Sequence, residues 1–222
     1  MIIHLESVLP AVLPLLAVFL WYLRTRRHLT IGRLVAAGAF AIYLLWVSRY
    51  TVFPLRFDSR YIEAFRSQTV FLKGVNFIPL KDLSPEYLSS IQGWGNVALG
   101  VPFGFMYPFV VGVSGWRQMV RYGVIFGAGI ELTQLAISLL YGFAYRVIDI
   151  NDVLLNFTGA MIGYALLRVV SSFYLAIAGP RARAGTPLAE SLWGHIASTL
   201  RQHGRRGKAQ SYQQPRTPSA SR

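Results

Sequence analysis

Apolar residues along this chain come in runs of about twenty, the length that crosses about 30 Å of hydrocarbon. The pattern predicts five spans: Leu5–Leu23, Leu34–Phe53, Trp94–Val113, Val120–Leu140 and Ile150–Ala178. The last is longer than a span requires, and it is expected to tilt or to emerge beyond Arg168. A soluble domain would interleave these residues with charges. The runs instead predict an all-α, polytopic integral membrane bundle, with residues 1–180 as one membrane domain and 181–222 as a basic tail. The first run has no basic stretch before it and no small-residue cleavage site after it. Arg24-Thr25-Arg26-Arg27 follow directly, so it is read as a retained helix and not as a secretory signal.

Charge adds an orientation. The chain carries 22 Lys and Arg against 9 Asp and Glu, a net charge of +13. The basic residues gather between spans one and two (Arg24, Arg26, Arg27, Arg33), between spans three and four (Arg117, Arg121), and after span five (Arg181 to Lys208). Five spans put all three groups on one side, which the positive-inside rule makes cytoplasmic, with the N-terminus outside. The expected location is the bacterial cytoplasmic (inner) membrane. Lipid headgroups account for such charge, so the expected partners include membrane lipids and no nucleic acid. The segment Pro54–Gly93 lies outside on this reading. Its Asn76-Phe77-Ile78-Pro79-Leu80 is expected to rest in the headgroup region or to dip into the bilayer. In the tail, Thr186-Pro187 reads as a helix start. Leu188, Leu192, Ile196 and Leu200 then predict a short amphipathic helix, followed by disorder from about Gly204. With no cysteine, disulfides and thiolate metal sites are excluded.

The polar residues inside the spans carry the candidate chemistry. In span five, Asp149, Asp152, Asn156, Gly159 and Gly163 are spaced three, four, three and four, which is one helical face. Gly159 and Gly163 form the small-xxx-small pattern that lets a neighbouring helix come close. In span four, Gly127, Glu131, Gln134 and Ser138 share a face, and in span three so do Asn96, Gly100, Phe103 and Tyr107, with Pro102 expected to kink the helix. Three polar faces on successive spans most simply face one another. They predict a cleft that runs from Glu131 in mid-membrane, through Gln134 and Asn156, to Asp152, Asp149 and Arg146 at the outer surface. Structural roles compete with this: one aspartate serves as the helix N-cap, and Glu131 and Gln134 hold helices together.

Taken in order, Asn76-x-x-Pro79, then Gly95-Asn96 with Pro102-Phe103-Gly104, then Glu131-x-x-Gln134, then Arg146-x-x-Asp149-x-x-Asp152-x-x-x-Asn156-x-x-Gly159-x-x-x-Gly163 resemble the VanZ-like family over roughly Val47 to Leu167. Gly100 departs from the family pattern, in which a bulky apolar residue is common. The resemblance implies a membrane protein of the bacterial envelope. Its namesakes confer resistance to the glycopeptide antibiotic teicoplanin, and it brings no cofactor and no agreed catalytic residue.

Two functions follow as expectations. In the first, the outward cleft binds the polar headgroup of a lipid-linked cell-wall precursor or a lipoglycopeptide. Arg146 meets phosphate, and Asn76, Asn96, Gln134, Asp149, Asp152 and Asn156 complete the lining. In the second, an intramembrane enzyme acts on a lipid-linked phosphate, with Glu131 as the candidate catalytic acid or base and Asp149 and Asp152 as weak candidates to hold a divalent cation. The expectation is no cofactor and no resident metal.

Overall fold

A computed structural model of the protein describes residues 1–27, 31–68, 71–81, 83–111, 113 and 115–178. The tail helix expected at residues 187–200 and the basic stretch around it lie outside the described residues. Five long helices dominate: α1 (Leu5–Arg27), α2 (Ile31–Thr51), α5 (Ile91–Val110), α6 (Trp116–Tyr141) and α7 (Ile150–Ala178). Two shorter ones, α3 (Ser59–Gln68) and α4 (Pro85–Ser89), fall between α2 and α5. Among the described residues, four helices, α1, α2, α6 and α7, are long and apolar enough to cross a membrane. α5 has 20 residues, but its glycines, prolines and Asn96 dilute the apolar run. The all-α bundle is as expected, and five spans approximate its count. Helices of this length and composition mark the chain as a membrane protein.

Short strand pairs bring distant segments to one end of the bundle. β1 (Ile2–Ile3) pairs antiparallel with β2 (Leu55–Arg56), and β3 (Val75–Asn76) pairs parallel with β4 (Ile148–Asp149). The N-terminus, residues 52–68, 71–81 and 83–90, and residues 142–149 therefore share that end. An ion pair between Glu6 and Arg49 adds to the β1–β2 tie.

The tightest contact joins α5 and α7, which run parallel. A methyl group on Gly100 would sit 2.1 Å from the carbonyl oxygen of Asn156, and one on Gly104 would sit 1.9 Å from that of Ala160. From the other side, methyl groups on Gly159 and Gly163 would each lie 2.0 Å from the carbonyl oxygens of Val97 and Val101. Two small-xxx-small pairs thus interlock, and only glycine lets the backbones touch. Gly100 is one of the four residues at the centre of this contact. α5 continues unbroken through Pro102, which lies well inside the helix because α5 begins at Ile91. α6 runs antiparallel to α7, with Gly127 against Val153 and Gly123 against Phe157. α2 leans on α5 through Phe40 and Phe103, whose ring centroids are 5.9 Å apart.

Segment 142–149 positions the site. α6 ends at Gly142, whose φ of 75° is the left-handed turn that glycine adopts without strain. The Arg66 guanidinium from α3 donates to the freed carbonyl of Tyr141 at 2.7 and 3.2 Å. The chain then doubles back along α6: the Tyr145 N–H donates to Ser138 Oγ at 3.1 Å, and the Asp149 N–H to Glu131 Oε2, also at 3.1 Å. α7 therefore starts level with Glu131, ten residues before α6 ends, or about 15 Å of helix rise.

Candidate functional site: a cleft between α2 and α5

A cavity of about 1090 Å³ opens where α2 and α5 part above the Phe40–Phe103 contact. One wall is Tyr43, Trp46 and Tyr50 of α2, and the facing wall is Gly95, Ala98, Leu99 and Pro102 of α5. At the end near the strand pairs, polar groups converge: Gln92 and Asn96 from α5, Gln134 from α6, Arg56 after α2, Arg146 from the returning segment and Asp152 from α7. The lining holds two guanidinium groups and one carboxylate.

Asp152 is held from several directions. The Tyr87 hydroxyl of α4 donates to its Oδ1 at 2.5 Å, and Gln92 Nε2 approaches its Oδ2 at 3.4 Å. α4 is placed for this by Ser84, an N-cap whose side chain accepts the Tyr87 N–H at 3.2 Å, with Pro85 following it. Burial, and then the Asp152 carboxylate beside it, push the Tyr87 phenol well above its ordinary value. It therefore stays a protonated donor at neutral pH.

Arg146 Nη2 donates to the Phe53 carbonyl at 3.2 Å, while its Nε is buried and has no hydrogen-bond partner. The neighbouring Tyr145 hydroxyl sits between the carbonyl oxygens of Val52 (2.5 Å) and Pro54 (2.8 Å), so this loop grips the end of α2. Asn96 Nδ2 is also buried, and the Asn96 side chain lies against the Asp152 carboxylate. Both residues line the cavity, where they add a guanidinium and an amide to its polar end.

Four of the eight residues expected from the sequence line the cleft: Asn96, Gln134, Arg146 and Asp152. The other four form a supporting layer. Asn76 Nδ2 donates to Asp149 Oδ1 at 2.9 Å. Asp149 Oδ1 also accepts the Asn151 N–H at 2.8 Å, the bond an N-cap makes, so the capping alternative describes this aspartate. Glu131 bonds the Asp149 backbone, and Asn156 Nδ2 donates to the Asp152 carbonyl at 2.8 Å. The sequence ordered these groups from a deep Glu131 to a shallow Asp149. In the structure the two are neighbours, and Asn156 lies deepest along α7, because α7 begins part-way down α6.

The chain belongs to the VanZ/LLP1 family. The family's model matches residues 40–171, which contain every residue that lines the cleft and neither α1 nor the tail. No curated protein and no solved structure matches the chain. Within the VanZ/LLP1 region lie several site residues that the sequence pattern did not single out: Tyr43, Thr51, Arg56, Tyr87, Gln92, Tyr145 and Asn151. Gln92 was within reach of a pattern argument, since it precedes Asn96 by four residues on one helical face. Asn151 is 1% exposed and makes three bonds: its N–H to Asp149, its Oδ1 from the Leu80 N–H at 2.8 Å, and its Nδ2 to the Lys81 carbonyl at 2.6 Å. It fixes the turn after β3, where Leu80 has a φ of 63°.

Among the described residues, no three of His, Cys, Asp and Glu come together to hold a metal ion. Asp149 Oδ1 and Asp152 Oδ1 are already taken by donors from other elements.

Proposed function

We propose that this VanZ-type membrane protein acts at the cell envelope, binding the polar headgroup of an outer-leaflet component in the α2–α5 cleft and thereby lowering susceptibility to lipoglycopeptides such as teicoplanin. Family membership supports the context. The observation that carries the binding role is the pair of guanidinium groups, Arg146 and Arg56, which line a cleft of about 1090 Å³ that holds a single carboxylate. A ligand oxygen that carries negative charge makes charge-assisted hydrogen bonds with such groups, about twice as strong as neutral ones. A lipid-linked cell-wall precursor and a lipoglycopeptide both present such oxygens.

The reading needs the cleft end of the bundle to face outward, as the distribution of basic residues predicts. Cysteine labelling is direct in a chain without cysteine. Asp149 is buried, so the exposed Phe77 is the better probe of that end. Phe77→Cys is expected to label from outside and His195→Cys only after the cytoplasmic face is opened. Cells with the gene, without it, and with Asp152→Ala at equal expression are then compared for teicoplanin susceptibility. Protection by the wild type alone is the expected result; equal susceptibility in all three removes the resistance role.

The intramembrane-enzyme reading has less support. Of Glu131, Asp149 and Asp152, only Asp152 lines the cleft.

A further inference from the structure

The cleft has a second property besides its polar end. Trp46 (59% exposed), Tyr50 (53%) and Ile91 (93%) line it and also lie on the outer flank of the bundle. The slot therefore opens sideways, between α2 and α5. Below, it is closed where Phe40 packs against Phe103 and where the Tyr43 hydroxyl donates to the Leu99 carbonyl at 2.5 Å. In a bilayer that flank meets acyl chains and not water. A water-soluble ligand has no use for such an opening, whereas a ligand that already lies in the membrane does. At about 1090 Å³ the cavity is at the upper end of small-molecule sites, about 300–1,000 Å³, so a headgroup leaves space for a chain.

The polar end selects for charge. Its two guanidinium groups outnumber its one carboxylate. The Arg56 guanidinium lies 5.0 Å from the centre of the Tyr61 ring and forms none of the ion pairs found among the described residues. The amide side chains of Gln92, Asn96 and Gln134 line the same end and bring no charge of their own. Guanidinium geometry matches phosphate oxygens, and a headgroup that adds its own cation would compete with the arginines.

We propose that the cleft is a lateral binding site for a net-anionic, phosphate-bearing lipid. The phosphate sits against Arg146, Arg56 and Asn96, and the first part of the chain lies between Trp46 of α2 and Pro102 of α5. This rests on the binding reading above and names its ligand class. It makes the bilayer, rather than the aqueous phase, the route to the site.

Trp46 reports on the slot. With Trp21, Trp94, Trp116 and Trp193 changed to Phe, Trp46 is the only tryptophan left of the five in the chain. The full chain is placed in phosphatidylcholine nanodiscs that contain, at the same low mole fraction, either dibrominated phosphatidylglycerol or dibrominated phosphatidylcholine. The expected result is severalfold stronger quenching of Trp46 by the phosphatidylglycerol. Arg146→Gln brings it down to the phosphatidylcholine level. Ala98→Phe, which plugs the slot at an exposed lining position and leaves both arginines in place, does the same. Equal quenching by the two lipids, or selectivity that survives both variants, overturns the proposal. Binding of inorganic phosphate without any selective quenching by phosphatidylglycerol overturns the lipid part and leaves an anion site. If selectivity is absent while Asp152→Ala still abolishes protection in cells, the ligand class falls and the envelope role stands. If selectivity is present and protection is never seen, the lipid site stands and the resistance role falls.

Discussion

Glu131 Oε2 accepts the backbone N–H of Asp149 at 3.1 Å, fastening the residue just before α7 to the side of α6. Both residues are buried, so the N–H has no water to turn to if Glu131 is removed. An amide oxygen can accept the same bond. Glu131→Gln is therefore expected to keep the fold and the protective activity, whereas Glu131→Leu loses about 1–3 kcal/mol of stability. Thermal unfolding in detergent checks both. Loss of activity in a stable Glu131→Gln protein would show that the carboxylate has chemistry of its own.

The interlocked glycines of α5 and α7 give a sharper test with an internal control. An added methyl at Gly100 or Gly159 meets backbone at 2.1 or 2.0 Å, and backbone cannot rotate away. Overpacking of this kind costs about 1–3 kcal/mol, and here it acts on the most extensive helix contact. At Gly95, on the same helix, a methyl would have nothing within 4 Å, so this position reports helix propensity alone. Gly100→Ala and Gly159→Ala are expected to lower the melting temperature by several degrees, and Gly95→Ala to leave it level or raise it.

Tyr87 supplies a pH dependence. Its phenol is pushed above the ordinary 10.0, first by burial and then by Asp152. A group whose folded value is raised contributes stability that is fully present below its unfolded value and is lost as the pH rises through the folded one. The wild type should therefore lose stability above about pH 10 more steeply than Tyr87→Phe does, with parallel profiles from about pH 6 to 9. Identical alkaline profiles would mean that the bond to Asp152 is not carrying this stability.

Much of the bundle was legible in the sequence, because lipid requires each span to satisfy its own backbone and leaves only apolar runs. The spacing of Asp149 through Gly163 identified the face of α7 that meets α5, and Gly159-xxx-Gly163 identified the closest approach. The offset between helices was not legible. Helix rise gives depth relative to a helix's own start, and nothing in the sequence says that residues 142–149 return along α6 before α7 begins. Glu131 and Asp149 therefore looked far apart. The supports of Asp152 were hidden for another reason. Tyr87 belongs to a five-residue helix with no periodicity to read. Asn151 falls off the face that Asp149, Asp152 and Asn156 share, and it bonds main-chain groups some seventy residues away, which carry no side-chain signature.

Asn151 is also the residue whose loss should be most local. Its side chain accepts the Leu80 N–H and donates to the Lys81 carbonyl, holding a turn that points Phe77, Ile78 and Leu80 outward, all exposed. Leu80 sits at a φ of 63°, a conformation costly for a leucine and kept only while its surroundings enforce it. Asn151→Ala removes both side-chain bonds but keeps the backbone bond to Asp149. Asn151→Asp keeps the acceptor, loses the donor, and adds a carboxylate beside Asp149. Both variants are expected to relax the turn while the helical bundle remains. Protease cleavage near residues 77–81 should rise severalfold, with unchanged helical circular dichroism. Asn151→Asp should be the worse of the two, since it also repels Asp149. Equal protease resistance in wild type and both variants would mean that the β3–β4 pairing alone fixes the turn.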